Sequence, residues 1–270
     1  MNILMIGAGN MAQALFAPLK EMLNQHKVFF YTPSIIRGKT LAHTLDQYWL
    51  DGLDDQQWNM SFDVVFLAHK PQNLVSVQTL LHTQLTSAPH YMVSILAGVS
   101  VDLLRKTLWN IPVLRLMPNT PCLVGEGIIT HYASHDLPTD QARFFTHLFA
   151  QHASLVPFED EATFDQVTPI LGSGPGVLFE LSAILQRELE LLGIDTEESK
   201  ALISKLFMGT ALLAQQSPHS FETLKQQVTS PGGITESMLG VMQSKQIDHI
   251  FKQAIEAGRQ RGIALNQAKS

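Results

Sequence analysis

Up to about residue 158, short apolar runs alternate with stretches in which apolar residues recur every three or four positions; beyond it only the helical spacing persists. The runs Asn2–Ile6, Val28–Tyr31, Asp63–Ala68, Tyr91–Leu96 and Val113–Met117 are apolar almost throughout. That is the pattern of strands buried on both faces of a sheet. Ile128–His131 and Ala153–Val156 add two weaker strands. Between them the helical spacing predicts a first helix reaching about Asn24, bent or shortened at Pro18. Further helices are predicted over Ile35–Tyr48, Gln72–Gln84, Val101–Thr107 with Ser100 as N-cap, and Thr139–Ala150. Asp51–Met60 is polar and irregular, with room for one short strand. Such alternation predicts a doubly wound α/β sheet.

After Phe158 the expected elements are Glu161–Ile170, Val177–Leu192 closed by Gly193, Thr196–Gln216, a short Phe221–Val228, and a last helix faced by Ile247, Ile250, Phe251, Ala254 and Ile255. Two domains follow, residues 1–158 and 159–270. The helical one, about 110 residues long, is small for a core of its own, so a dimer is expected to cover it.

Composition narrows the class. The 270 residues are 45% apolar and 16% charged, a globular rather than a disordered balance. A net charge of −6 supplies no basic field for nucleic acid or anionic lipid. Cys122 is the only cysteine, which excludes an internal disulfide framework and suits a reducing compartment. The start reads as a strand rather than a signal peptide, and no apolar run approaches the roughly 20 residues of a spanning helix. A cytoplasmic protein without membrane or nucleic-acid partners is expected. The eleven His show no metal-ligand spacing, so no metal is expected.

Chemistry concentrates at turns. The first strand runs directly into Gly7-x-Gly9-x-x-Ala12 and then into a helix. In this context Gly7 allows a tight turn, Gly9 lets backbone approach a pyrophosphate, and Ala12 allows close packing of helix on strand. The helix start, with its dipole, attracts phosphate. This reads as a dinucleotide site. After the second strand, an NAD-binding carboxylate is missing. Thr32-Pro33-Ser34, then Arg37 and Lys39, stand there instead. Hydroxyls and cations suit a 2′-phosphate, so NADPH is expected ahead of NADH. A solvated basic helix start also fits. Ala68, His69, Lys70 and Pro71 end the next strand, and Ala97-Gly98 follows the one after. Both border the ligand edge of a doubly wound sheet, and the small pair leaves room for a nicotinamide. Lys70 read alone is more often solvated surface. Asn119, between Pro118 and Pro121, lies in a rigid turn at the same edge.

Two glycine turns stand in the helical half. Ser230-Pro231-Gly232-Gly233-Ile234-Thr235 exposes backbone amides and opens onto a helix, as an anion site does. A plain N-cap built on Ser230 or Thr235 fits the spacing better. Gly172-Ser173-Gly174-Pro175 likewise reads as a flexible turn before a long helix.

Taken together, several stretches resemble the pyrroline-5-carboxylate reductases. They are Ile6–Ala12, Tyr31–Ser34, Phe66–Pro71, Arg115–Pro121, Leu171–Pro175 and Val228–Thr235. They occur in order and span nearly the whole chain. Met-Pro-Asn-Thr-Pro with Ser-Pro-Gly-Gly-x-Thr is the specific combination. The resemblance implies an N-terminal Rossmann-type domain and a C-terminal all-helical dimerisation domain. It implies reduction of L-1-pyrroline-5-carboxylate to L-proline by NAD(P)H. It places Gly7, Ala8, Gly9, Asn10 and Met11 on the pyrophosphate, and Thr32, Ser34 and Arg37 on the adenosine phosphate. Ala68, His69, Lys70, Pro71, Ala97, Gly98 and Asn119 are expected on the cofactor side. Ser230, Gly232, Gly233, Ile234 and Thr235, reaching across a dimer or a higher assembly of dimers, would hold the substrate carboxylate. Thr235 would meet the ring nitrogen as a partner or proton relay. The chain departs from the family at Gly176-Val177, Ala183, Ser217–Phe221, Gln226, and at Ile234 and Glu236 beside the key Thr. A paralogue acting on another imine or on a 3-hydroxyacid, and a non-catalytic NADPH-binding protein, are the alternatives.

Overall fold

A computed structural model describes residues 1–267. The end of the expected helical domain, 268–270, lies outside the described residues. The strands are β1 (Asn2–Ile6), β2 (Lys27–Tyr31), β3 (Tyr48–Trp49), β4 (Val64–Leu67), β5 (Tyr91–Ser94), β6 (Val113–Pro118), β7 (Gly127–Ala133) and β8 (Ala153–Pro157). They form one sheet in the order β3-β2-β1-β4-β5-β6-β7-β8. The first six run parallel and β7 is antiparallel to β6. The β6–β7 link, Asn119–Glu126, is too short for the helical crossover that a parallel pair needs. The sheet is the doubly wound, Rossmann-type one that the alternation predicts, and its order reverses between β1 and β4.

Alternation along β1 shows why the strands are apolar on both faces. Ile3 and Met5 join one buried cluster with Phe16, Phe66 and Phe149; Leu4 and Ile6 join the opposite cluster with Phe29, Leu67 and Trp58. Phe16 meets Phe66 edge-to-face at 5.0 Å and Phe149 at 5.6 Å. Each such ring contributes about 1.5–3 kcal/mol by leaving water.

The helices of the alternating region are α1 (Asn10–Phe16), α2 (Lys20–Leu23), α3 (Ile35–Thr44), α4 (Leu74–Gln84), α5 (Val101–Thr107) and α6 (Thr139–Phe149). Pro18 sits in a 3₁₀ turn, Ala17–Leu19, that separates α1 from α2, as the ring's lost N–H requires. Ser100 caps α5 by accepting from Leu103 N at 3.2 Å. The helix expected over Ile35–Tyr48 ends at Thr44 instead. Asp46 takes a left-handed φ of 52° and turns the chain, and Tyr48–Trp49 then pairs with Phe29–Phe30 as the edge strand. Tyr48 stacks on Phe29 at 4.8 Å, a contact that a helix would forgo.

The helical half comprises α7 (Glu161–Leu171), α8 (Gly174–Leu191), α9 (Thr196–Gln216), α10 (Phe221–Gln227), α11 (Ile234–Ser244) and α12 (Ile247–Gln267). Helix α8 starts three residues ahead of the expected Val177, because Pro175 is tolerated in a first turn. Gly193 closes it at φ 86°. Packing divides the chain into Met1–Pro175 with the segment from Ala257 on, and Gly176–Glu256. The strand–helix alternation does end at 158, yet α7 belongs with the sheet. Arg115 of β6, 1% exposed, explains this. Its guanidinium pairs with Glu161 and, at 2.8 Å, with Asp165, and lies 4.6 Å above the Phe164 ring. Glu161 also accepts from Val101 N at 2.7 Å.

In the second unit few side chains are buried. Ile203 is, whereas Phe179, Leu206, Leu213, Met238 and Val241 are exposed. Among the described residues, α7 with α8 also contains a stretch long and apolar enough, by composition, to cross a membrane, which the sequence reading did not find. Polar residues such as Thr168 and Ser173 interrupt the apolar runs there. The break at Gly172-Ser173 divides it into two separate helices.

Arg115→Ala should cost about 2–3 kcal/mol in urea denaturation. That is below the 3–5 of a wholly buried pair, because Glu161 and Asp165 keep contact with water.

Candidate active site

The carboxyl ends of β1, β2 and β4 surround a cleft of about 700 Å³. Gly7 makes it. At φ 111° it turns the chain out of β1, and a Cβ there would lie 2.5 Å from the Ala68 carbonyl oxygen. Gly7 N donates to Tyr31 O at 2.8 Å, tying the turn to β2. Gly9 is the N-cap of α1 in ordinary extended backbone, with no side chain bonded to the helix start. A Cβ on Gly9 would meet nothing within 4 Å, so it would project into open space at the free amides of the helix. This is a cradle for a phosphate.

The adenosine side follows β2. Thr32, Ser34 and Arg37 line the cleft, and Ser34 stands at the start of α3 with its hydroxyl unused as a cap. Lys39 does not line it; its ammonium pairs with Asp51 at 3.6 Å. Ala68, His69 and Lys70 form the opposite lip. His69 Nδ1 lies 2.9 Å from the Lys70 carbonyl, which can only accept, so that nitrogen carries a proton. Among the described lining residues there is no Asp or Glu, and the two cations are Arg37 and Lys70. A dinucleotide carrying a 2′-phosphate fits this set; the ribose-binding carboxylate of an NAD site has no counterpart.

The remaining expected cofactor residues do not line this cleft. Asn10 and Met11 open α1, and Pro71 begins the 3₁₀ turn beyond Lys70. Gly98 was expected to leave room for a nicotinamide. A Cβ on it would strike Gly262 O at 2.7 Å and Leu265 Cβ at 3.0 Å, so its smallness admits the end of α12. Ala97 packs with the cluster under that loop. Asn119 is 5% exposed, and its amide is engaged on both sides. It donates to Leu171 O at 3.1 Å and accepts from Ile128 N at 2.9 Å, clamping α7 to β7. The sequence reading missed the α4 wall, Asn73, Ser76, Thr79 and Thr83. Its signal was present as a polar stripe at helical spacing. Cys122 is buried, and burial pushes its thiol up, away from nucleophile chemistry.

The second turn lies in the helical unit. Gly233 N donates to Ser230 O at 2.9 Å, and Gly232 takes φ 69°. Gly233 is the N-cap of α11 and no side chain caps it, so neither Ser230 nor Thr235 serves as the expected cap. The Gly232 amide is engaged by Glu236 Oε2 at 2.8 Å. The amides of Ile234 and Thr235, in the first turn of α11, have no intrahelical acceptor. Ser220 caps α10 by accepting from Thr223 N at 3.2 Å.

This sheet and its acid-free cleft define a Rossmann-type dinucleotide-dependent oxidoreductase. Residues 2–98 match the family described as NADP oxidoreductase, coenzyme F420-dependent, and residues 161–265 match pyrroline-5-carboxylate reductase dimerisation. The pyrroline-5-carboxylate reductase of Pasteurella multocida is 30% identical over 98% of both chains. The solved enzyme of Coxiella burnetii is 26% identical, with a TM-score of 0.80 over 98% of each chain. That of Plasmodium falciparum, solved with NADP bound, superposes at 0.82 over 98% of each chain with 24% identity. The chain belongs to the pyrroline-5-carboxylate reductase family.

Gly9→Ala should change stability by less than about 1 kcal/mol, because the entropy gain at φ −73° is offset by a poorer N-cap. It should weaken NADPH at least tenfold in a fluorescence titration. Arg37→Ala should weaken NADPH about tenfold and NADH less than twofold in the same titration, because only the former carries the 2′-phosphate.

Proposed function

We propose that this chain reduces L-1-pyrroline-5-carboxylate to L-proline with NADPH, the last step of proline formation. The observation that carries it is likeness along the full length of the chain to a pyrroline-5-carboxylate reductase, with both glycine turns in place. The acid-free cleft with Arg37 and Lys70 supports NADPH, and NADH is the weaker cofactor.

Gly7, Ala8 and Gly9, with the α1 amides, receive the pyrophosphate; Asn10 and Met11 belong to the same helix start. Thr32, Ser34 and Arg37 take the adenosine phosphate. Ala68 to Pro71, with Ala97 and Gly98 on the neighbouring strand end, border the nicotinamide side. When bound, NADPH supplies a hydride to the imine carbon. A protonated imine is already electrophilic, so the chain's task is to orient it. The Ser230–Thr235 turn holds the substrate carboxylate on the Ile234 and Thr235 amides, with charge support from the α11 start. The Thr235 hydroxyl accepts from the ring N–H and keeps that proton in place as the nitrogen becomes an amine. Asn119 acts as a clamp behind the site rather than as a contact.

The chain self-associates through its helical unit, and a homodimer is the assembly favoured by the exposed Leu206, Leu213, Met238 and Val241. Association also gives cover to the exposed apolar residues of α8, Leu178 and Phe179 among them, without a bilayer. The buried, reduced Cys122 fits a cytoplasmic setting. Against a dehydrogenase with a catalytic lysine on the first long helix of the second unit, α8 carries no Lys.

Mixing protein, NADPH and L-1-pyrroline-5-carboxylate should give substrate-dependent loss of reduced-nicotinamide absorbance. Thr235→Ala should lower kcat/KM by about 10²-fold, the scale of one lost positioning and proton-holding group. Unchanged turnover and KM in that variant would remove Thr235 from the mechanism.

A further inference from the structure

Ser100 stands at the end of the loop that leaves β5 and starts α5, and a residue 166 positions on in sequence holds it. Asn266 Oδ1 accepts from Ser100 N at 3.2 Å and from Ser100 Oγ at 3.1 Å. A backbone N–H can only donate, so the Asn266 atom facing it is the oxygen. The same Ser100 Oγ accepts from Leu103 N and caps α5. One residue further, Val101 N is held by Glu161 of α7. Two successive amides are thus fastened by side chains from two helices of the C-terminal half.

Backbone packing reinforces the fastening. Gly98, at φ 65°, lies so close to α12 that no side chain fits between it and Gly262. At its other end the loop is tied to β4 through Ile95 N and Leu67 O at 3.0 Å. Helix α12 itself is anchored on α7, where Gly258 lies against Pro169 and Arg259 Nε donates to Gln166 O at 3.3 Å. The loop Ile95–Ser100 is therefore gripped between β4 and α12.

We propose that Asn266 is a positioning residue that holds the Ala97–Ser100 loop in the form that receives the nicotinamide end of the cofactor. This rests on the reading that the loop borders the nicotinamide. Asn266 acts through Ser100 and touches neither cofactor nor substrate. Its oxygen alone does the work, so a carboxylate serves equally well. A carboxylate there faces the start of α5, where the helix dipole favours negative charge.

The test compares Asn266→Ala and Asn266→Asp in the full chain, by NADPH fluorescence titration, steady-state kinetics and thermal unfolding. Asn266→Ala should raise both the Kd and the KM for NADPH about tenfold, the scale of two lost hydrogen bonds. Asn266→Asp should restore both to within twofold. If Asn266→Ala does not fold, Ser100→Ala, which keeps the amide bond to Asn266 and removes both the hydroxyl bond and the α5 cap on Leu103 N, should raise both about threefold. Unchanged NADPH affinity in the Ala variants overturns the proposal. So does an Asp variant as impaired as Ala, which would make the residue structural only, and so does a parent chain that binds no NADPH. If the parent binds NADPH without reducing the pyrroline, and Ala weakens that binding while Asp recovers it, the positioning role stands and the substrate reading alone falls.

Discussion

Everything in the cofactor unit depends on one close approach, that of Gly7 to the Ala68 carbonyl, where a Cβ would have 2.5 Å. Strands β1 and β4 are neighbours, and the sheet order reverses between them. Their chains leave in opposite directions from almost the same point. Only backbone fits at the point of departure, and the space above it becomes the cleft. The phosphate cradle, the Thr32–Arg37 corner and the Ala68–Lys70 lip are positioned by that geometry rather than by contacts with one another.

The alternating half was legible because its signals are local. A strand buried on both faces declares itself by composition, and Gly7-x-Gly9 does so by position. Tyr48 shows where local reading stops. Its helical spacing continued that of α3, but pairing with Phe29 and a turn at Asp46 overrode it. Gly98 and Asn119 show a deeper limit. Both sit at the ligand edge of the sheet, and both were given to the cofactor for that reason. Gly98 is also pressed against Gly262, and the Asn119 amide bonds Leu171 and Ile128. Edge position is visible in a sequence; the distant neighbours at that edge, Leu171 for Asn119 and Gly262 for Gly98, are 50 or more residues away. The recognisable turns of the helical half were read through family likeness, because spacing alone favoured a cap.

That half also shows how a motif can be kept while its surroundings change. The Ser230–Thr235 turn has its glycine geometry, but Glu236 holds the Gly232 amide, so part of the turn's capacity for anions is met from within. The exposed apolar faces of the unit mean that its hydrophobic free energy is gained on association rather than on folding alone. Stability and assembly are therefore linked, and the concentration of the chain enters both.

Helix α12 imposes an order in time. Its closing turns pack with the sheet, whereas the whole of Gly176–Glu256 lies between them and the rest of that unit in sequence. A ribosome therefore delivers α7 and all eight strands, then the complete helical unit, and only afterwards the segment that grips Gly98 and Ser100. The cofactor unit cannot be finished as it emerges. Its β5 loop waits, unlatched, until the helical unit has been made, so a nascent chain presents its association surface before that loop is held.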